Sequence, residues 1–295
     1  MPGSVINTKN DDYEFAGHHL GDGTFGKVME AKSKKRGEKV AVKMITRKRI
    51  NTPKDEEMLM YEVKMMKQLD SPFIIKFFEF YEDDKFYYLI MERMKTDLFE
   101  EIQAHTRLSE RSARFVMYQA CNGVKYLHDK DIAHCDLKPE NILISHVKSE
   151  NELLHAKLCD FGFSRHISKL EKRKSNKGTT YYMAPELLQS ELHDRSIDIW
   201  GLGVIFYVAL NGEFPFKGKY MPPTDADILK DLKEKLSEDN KENFYASVPS
   251  KEAQEFLKST IIAEPKRPNI DQLLKLNYFK NSELQQDINK YLKST

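Results

Sequence analysis

Residues 134–141 read HCDLKPEN, and two chemistries compete within them: the thiol of Cys135 and the carboxylate of Asp136. A His-Cys pair suggests a thiolate nucleophile or half a metal site. An Asp followed by a Lys and an Asn suggests a base with cation ligands around a phosphorylated cofactor. The two readings imply different enzyme classes, and the rest of the chain has to decide between them.

Working outward, LGDGTFGKV (20–28) carries Gly21, Gly23 and Gly26, which would let a strand hairpin bring its backbone N–H groups onto phosphate oxygens. Such turns are common without any ligand, so this one decides nothing alone. VAVKMI (40–45) sets Lys43 among β-formers, where a lysine either faces outward or finds an anionic partner. Glu62, in the middle of the next helical stretch, is within reach and would orient the ammonium toward the α and β phosphates of a nucleotide. HCDLKPEN then supplies Asp136 to accept a hydroxyl proton, Lys138 to neutralise the transferred phosphoryl group and Asn141 to bind a divalent cation. CDFG (159–162) adds a second oxygen ligand, Asp160. Hard Mg²⁺ takes oxygen ligands and keeps waters, so one Asp and one Asn around a triphosphate suit it better than a thiolate. That decides against a metal-bound Cys135. GTTYYMAPE (178–186) closes the set, with Thr179 placed to contact the catalytic loop and Glu186 able to pair with Arg267.

The bulk numbers agree with a folded enzyme. The 295 residues are 40% hydrophobic and 32% charged, a globular composition long enough for one large domain or two lobes. Lys plus Arg is 47 against 46 Asp plus Glu, so no global field favours nucleic acid or an anionic membrane, and neither is expected as a partner. Cys121, Cys135 and Cys159 are too scattered for a disulfide framework or a zinc spacing, which points to reduced thiols and a cytoplasmic setting. Cys121 reads as a small buried helical thiol. The first residues show no signal pattern, Pro2 excludes myristoylation, and the apolar run 199–210 is too short to span a bilayer.

Along the chain, residues 13–50 alternate as strands, and DEEMLMYEVKMMKQL reads as a helix stopped by DSP. FIIKFFEFYEDDKFYYLIMERM reads as a strand hairpin turning at 82–85. From Asp97 the pattern is chiefly helical, with helices expected at about 97–105, 109–130, 186–189, 194–211, 224–237, 251–262 and 270–276. Residues 132–185 read as loop-rich, with the segment SHVKSENELLH (145–155) as a polar turn. An acid at Asp198, opening the most apolar helix, is costly unless hydrogen-bonded.

With these motifs in order, the chain resembles a eukaryotic protein kinase from about residue 13 to 280. HCDLKPEN, AKLCDFGFSR, LIMERMKTDLFEEI and GVIFYVALNGEFPF are most similar to the protein kinase D family of the calmodulin-dependent kinase group. The resemblance implies an α+β, two-lobed fold: a small β-rich N-lobe (13–91) with one main helix, a hinge (92–96) and a larger, mostly helical C-lobe (97–280). An extension (1–12) would precede it, and a polar tail with helical character (281–295), open to a regulatory partner, would follow. It implies ATP and Mg²⁺, with the nucleotide contacted by Leu20, Gly21, Gly23, Gly26, Val28, Ala41, Lys43, Met91 as gatekeeper, Glu92, Met94, Asp97, Glu140, Asn141, Leu143 and Asp160. Met66, Phe77, His134 and Phe161 would stack as a spine, and Asp198 would hold the catalytic-loop backbone. Asp97 and Glu140 would read a basic residue three positions before the acceptor, and Phe163 goes with serine as acceptor. Cys159 should face the rear of the nucleotide site, where an electrophile would reach it.

Three departures matter. The lipid-binding and pleckstrin-type regions of that family do not occur in this sequence. In the activation segment Ser175 aligns with the second of the family's two phosphorylated serines, and Glu171 stands at the first. Cys135 replaces the arginine that in most kinases waits for an activation-segment phosphate, so substantial activity is expected without phosphorylation. The implied activity is transfer of the ATP γ-phosphate to protein serine or threonine. A silent pseudokinase scaffold and a small-molecule kinase are the competing readings: the first usually loses Lys43, Asp136 or Asp160, and GTTYYMAPE argues against the second.

Overall fold

The computed structural model describes residues 12–23, 26–147, 150–166, 171–172, 180–218 and 222–294. They form two compact units: Met1–Thr96 with Cys159–Gly162, and Asp97–Leu158 with Phe163–Thr295.

In the smaller unit, alternating apolar residues build five strands: β1 (Tyr13–Gly23), β2 (Gly26–Ser33), β3 (Lys39–Thr46), β4 (Phe77–Glu82) and β5 (Phe86–Glu92). They form one antiparallel sheet in the order β1-β2-β3-β5-β4. Register fixes the faces, because directly opposed residues share a side. Val28 lies opposite Lys43 and Glu30 opposite Ala41 on one face, while Met29 with Val42 and Ala31 with Val40 point to the other. The second face is closed by Tyr13, Tyr81, Tyr88 and Ile90, with the Tyr81 and Tyr88 rings stacked at 4.6 Å. A Cβ on Gly26 would lie 2.0 Å from the Met44 carbonyl oxygen, so only glycine lets β2 approach β3 this closely. Helix α1 (Pro53–Gln68) starts on a Thr52–Asp55 capping box with Pro53 in its first turn. It buries Leu59, Val63, Met65 and Met66, and with them the carboxylate of Glu62.

The two-residue strand β6 (Thr96–Asp97), where the chain passes from the smaller unit to the larger, leads into α2 (Leu98–His105) and α3 (Glu110–His128) of the larger unit. Short strands β7 (Ile132–Ala133) and β10 (Arg165–His166) pair with one another, as do β11 (Glu171–Lys172) and β12 (Leu192–His193). Then come α4 (Pro185–Leu188), α5 (Ser196–Asn211), α6 (Asp225–Lys235), α7 (Lys241–Tyr245), α8 (Lys251–Thr260), α9 (Ile270–Leu273) and α10 (Ser282–Ser294). Helix α5 is buried on every side, as its apolar run from Ile199 to Leu210 requires. Gly203 lets α8 approach it, since a Cβ there would lie 2.4 Å from Thr260 Oγ1. Among the described residues no helix is long and apolar enough to cross a membrane.

One expectation fails. The described parts of the segment 145–155 belong to two paired strands, β8 (Ile142–Val147) and β9 (Glu150–Leu158), with Ser145 opposite His155 and His146 opposite Leu154. Leu153 and Leu154 are buried, and the Gln119 side chain of α3 donates to the Leu154 carbonyl at 2.9 Å and accepts from the Ala156 N–H at 3.0 Å. A tertiary partner extends strands that the polar local sequence does not announce. Helix α7 was also not expected.

Candidate active site

The smaller unit assembles a charged triad. Lys43, on β3, turns to the α1 side of the sheet, and its Nζ donates to Glu62 Oε1 at 2.7 Å. Asp160 Oδ1 lies 4.0 Å from the same Nζ. Lys43 is 5% exposed and Glu62 2%, so neither could be tolerated without the other. Burial works against the Lys43 charge, but Glu62 and Asp160 outweigh it and hold the ammonium above its ordinary range. Burial pushes the Glu62 carboxyl up, against the pull of Lys43. The 2.7 Å contact is that of a charge-assisted bond between ionised partners. Asp160 has φ 61°, a left-handed backbone uncommon outside glycine and here held by its surroundings. Gly162 lies beside the triad, and a Cβ built there would make ordinary contacts, 3.4 Å from Asp160 Oδ1 and 3.6 Å from Glu62 Oε2. Cys159 is partly exposed and close enough to Lys43 to add to the forces that keep it protonated.

The larger unit builds its own cluster on the loop 134–141. Lys138 Nζ lies 2.9 Å from Asp136 Oδ2. Asn141 Nδ2 donates to Asp136 Oδ2 at 3.0 Å and to the Asp136 carbonyl at 2.8 Å. With its amide nitrogen so committed, Asn141 has its oxygen to offer a hard cation. The loop is held from below. Asp198 of α5, 1% exposed, accepts from the His134 N–H at 2.8 Å and the Cys135 N–H at 3.0 Å, and His128 Nε2 of α3 lies 2.9 Å away. Although burial opposes it, His128 and the His134 backbone keep the Asp198 carboxyl below the usual range. Cys135 has φ 65°, and its Sγ lies 3.6 Å from the Ala133 carbonyl oxygen. Arg267 clasps Glu186 with two bonds, of 2.6 and 3.0 Å.

The other expected nucleotide contacts fall on defined elements. Leu20, Gly21 and Gly23 end β1, and Gly23 pairs with Gly26 where the hairpin closes. Ala41 lies opposite Met91, and Glu92 is fixed where its Oε1 accepts from the Lys76 N–H at 2.6 Å. Met94 is buried, and Leu143 lies opposite Lys157 in the β8–β9 hairpin. Asp97 caps α2 by accepting from the Glu100 N–H at 2.9 Å, and burial together with nearby Glu100 and Glu140 pushes its pKa up to about 6. Burial likewise raises Glu140. Of the expected spine residues, Met66, His134 and Phe161 are buried, and Phe77 opens β4. Ser175 and Thr179 lie outside the described residues, as does the side chain of Glu171. Sequence reading passed over Glu30, Lys39 and Arg93, which meet beside the hinge. Its only signal was a carboxylate at the alternate position after Val28, facing the Lys43 side of the sheet.

A family model for the protein kinase domain matches residues 15–279. The chain belongs to the protein kinase domain family. This kinase domain is 39% identical over 243 residues to the Serine/threonine-protein kinase dkf-2 of Caenorhabditis briggsae, covering 82% of the chain and 19% of that protein. It is 39% identical over 212 residues to Calcium-dependent protein kinase 4 of Plasmodium berghei, covering 72% of the chain and 39% of that protein. It is 41% identical over 204 residues to human Serine/threonine-protein kinase D3, covering 68% and 22%. The kinase domain thus spans well under half the length of these relatives.

Proposed function

We propose that this kinase domain is an active, Mg²⁺-dependent ATP:protein phosphotransferase acting on serine or threonine. The observation that carries the reading is the buried Lys43–Glu62 pair at 2.7 Å with Asp160 beside it, an arrangement that suits a fixed positive charge for an anionic ligand and a carboxylate for the cation that would accompany it. The donor set fits the group it would hold: Asn141 and Asp160 offer oxygens to Mg²⁺, and the backbone of Glu92 and Met94 would take the adenine. Bound Mg²⁺ supplies charge neutralisation at the phosphates. Lys43 orients the α and β phosphates, Lys138 neutralises the moving phosphoryl group, and Asp136 positions the acceptor hydroxyl and takes its proton. Thr179 is assigned to the contact between peptide and catalytic loop.

Asp97 and Glu140 favour an arginine three residues before the acceptor, because paired carboxylates raised by burial gain most from a guanidinium, and Phe163 favours serine. The three free thiols support a cytoplasmic setting, where cysteines stay reduced. A regulatory partner acting through α10 would have to release Asp287 from Arg111. Retention of Lys43, Asp136 and Asp160 speaks against a silent scaffold. The test is a peptide array with Mg·ATP. Phosphate on serine peptides with arginine at that position supports the proposal, and a proline-directed or acidic preference overturns the specificity. No transfer to any protein or peptide overturns the activity itself.

A further inference from the structure

Beside the hinge, two basic side chains, Lys39 and Arg93, converge on one carboxylate, that of Glu30. Glu30, on β2, is covered to 2% exposure. Its Oε1 accepts from Lys39 Nζ at 2.7 Å, and its Oε2 accepts from Arg93 Nε at 2.9 Å. Lys39 belongs to β3, and Arg93 follows β5 directly. The register puts Glu30 on the same sheet face as Val28, Lys43 and Ala41, the face assigned to the nucleotide. Arg93 lies between Glu92 and Met94, whose backbone is assigned to the adenine, and its own side chain turns back to β2.

The pair is poorly explained by stability. Replacing an ion pair whose carboxylate is covered with apolar side chains of similar volume is often neutral or favourable, and here only the Glu30 end is buried. What the carboxylate adds is direction. It fastens the residue at the centre of the hinge to the strand that leaves the glycine-rich turn, so that hinge and β2 keep one spacing. Lys39, with 66% of its side chain exposed, neutralises the charge from outside, whereas Arg93, at 30%, is the partner that reaches inward.

We propose that Glu30 and Arg93 form a hinge clamp that sets the affinity for ATP without taking part in phosphoryl transfer; this rests on the kinase reading above. Both are positioning residues: neither touches the transferred group, and their effect passes through the hinge backbone.

The test uses the whole chain with Mg·ATP, measuring nucleotide affinity by calorimetry and steady-state kinetics on a serine peptide. Glu30→Leu and Arg93→Met should each raise the Kd and KM for ATP about fivefold or more, with kcat and peptide KM within about twofold. The double variant should be no worse than either single one, since both remove the same contact. Arg93→Lys, which keeps a donor, should recover most of the affinity. Thermal unfolding of each variant should stay close to wild type, a result that an ordinary structural ion pair would not give together with a KM change. If Glu30→Leu proves unstable, Arg93→Met alone decides, because removing a part-exposed side chain leaves Glu30 its bond to Lys39. ATP affinity unchanged in both single variants, or losses that add in the double variant, would overturn the clamp while leaving the kinase reading intact. A wild-type chain that does not bind Mg·ATP would overturn both.

Discussion

At Cys135 the backbone is left-handed, its N–H is given to Asp198 and its thiol lies against the Ala133 carbonyl, so the residue is engaged with the backbone that holds the loop rather than set out as a nucleophile. Cys135→Ser keeps a donor of similar size for that carbonyl, and kcat/KM should stay within about fivefold of wild type, since one such bond is worth about 1 kcal/mol; a dead variant would mean the thiol acts. Asp97 gives a prediction in pH. Because its pKa is pushed up to about 6, the carboxyl is neutral below that value and attracts no guanidinium, and it is charged above. The preference for arginine over alanine three residues before the acceptor, taken as a ratio of kcat/KM values, should therefore grow as pH rises from about 5 to about 7 and then level off. Replacing Asp97 with Asn should flatten that curve. The ionic partners Lys43 with Glu62 and Glu186 with Arg267 were legible from motif spacing, because each charge sits where an unpaired one would be prohibitive. Glu30 with Arg93 was not, since a charged residue on a strand is more often solvated.

Helix α10 shows the same limit on a larger piece of chain. Its polar sequence gave only helical character, yet Leu284 and Tyr291 are buried, and Asp287, 1% exposed, accepts from Arg111 Nε at 2.9 Å and Nη2 at 2.7 Å. The Tyr291 hydroxyl lies 2.7 Å from His155 Nε2 of β9. α10 thus fastens α3 and β9, and α3 in turn carries His128, which steadies Asp198. Arg111→Ala strands the Asp287 charge with Glu283 nearby and should cost about 3–5 kcal/mol. Asp287→Ala leaves an arginine that is 27% exposed and can turn to water, and should cost about 1–2 kcal/mol. The ordering of the two melting temperatures tests the burial argument; equal drops would contradict it. Elements with a plain apolar pattern, such as the amphipathic α3, the uniformly apolar α5 and the alternating β4–β5 hairpin, were read close to their ends. Helix α7 and the long β8–β9 hairpin were missed because packing partners far along the chain, Gln119 for the hairpin, make them worthwhile.

Across the whole molecule the charges nearly cancel, at +1, so local arrangement rather than a global field must attract ATP and substrate. No arginine stands at position 135 to await a phosphate, and activity should not depend on modification of Ser175. Ser175→Ala should lower kcat/KM by less than about tenfold, the scale of one surface electrostatic contact. The most direct test is phosphotransfer from Mg·ATP to a serine peptide with arginine three residues before the acceptor, by phosphatase-treated wild type and by Asp136→Asn. Turnover by the unphosphorylated wild type and a loss of about 100-fold or more in Asp136→Asn are expected. A wild type inert until Ser175 is phosphorylated, or an Asp136→Asn variant with near-normal kcat, would contradict it.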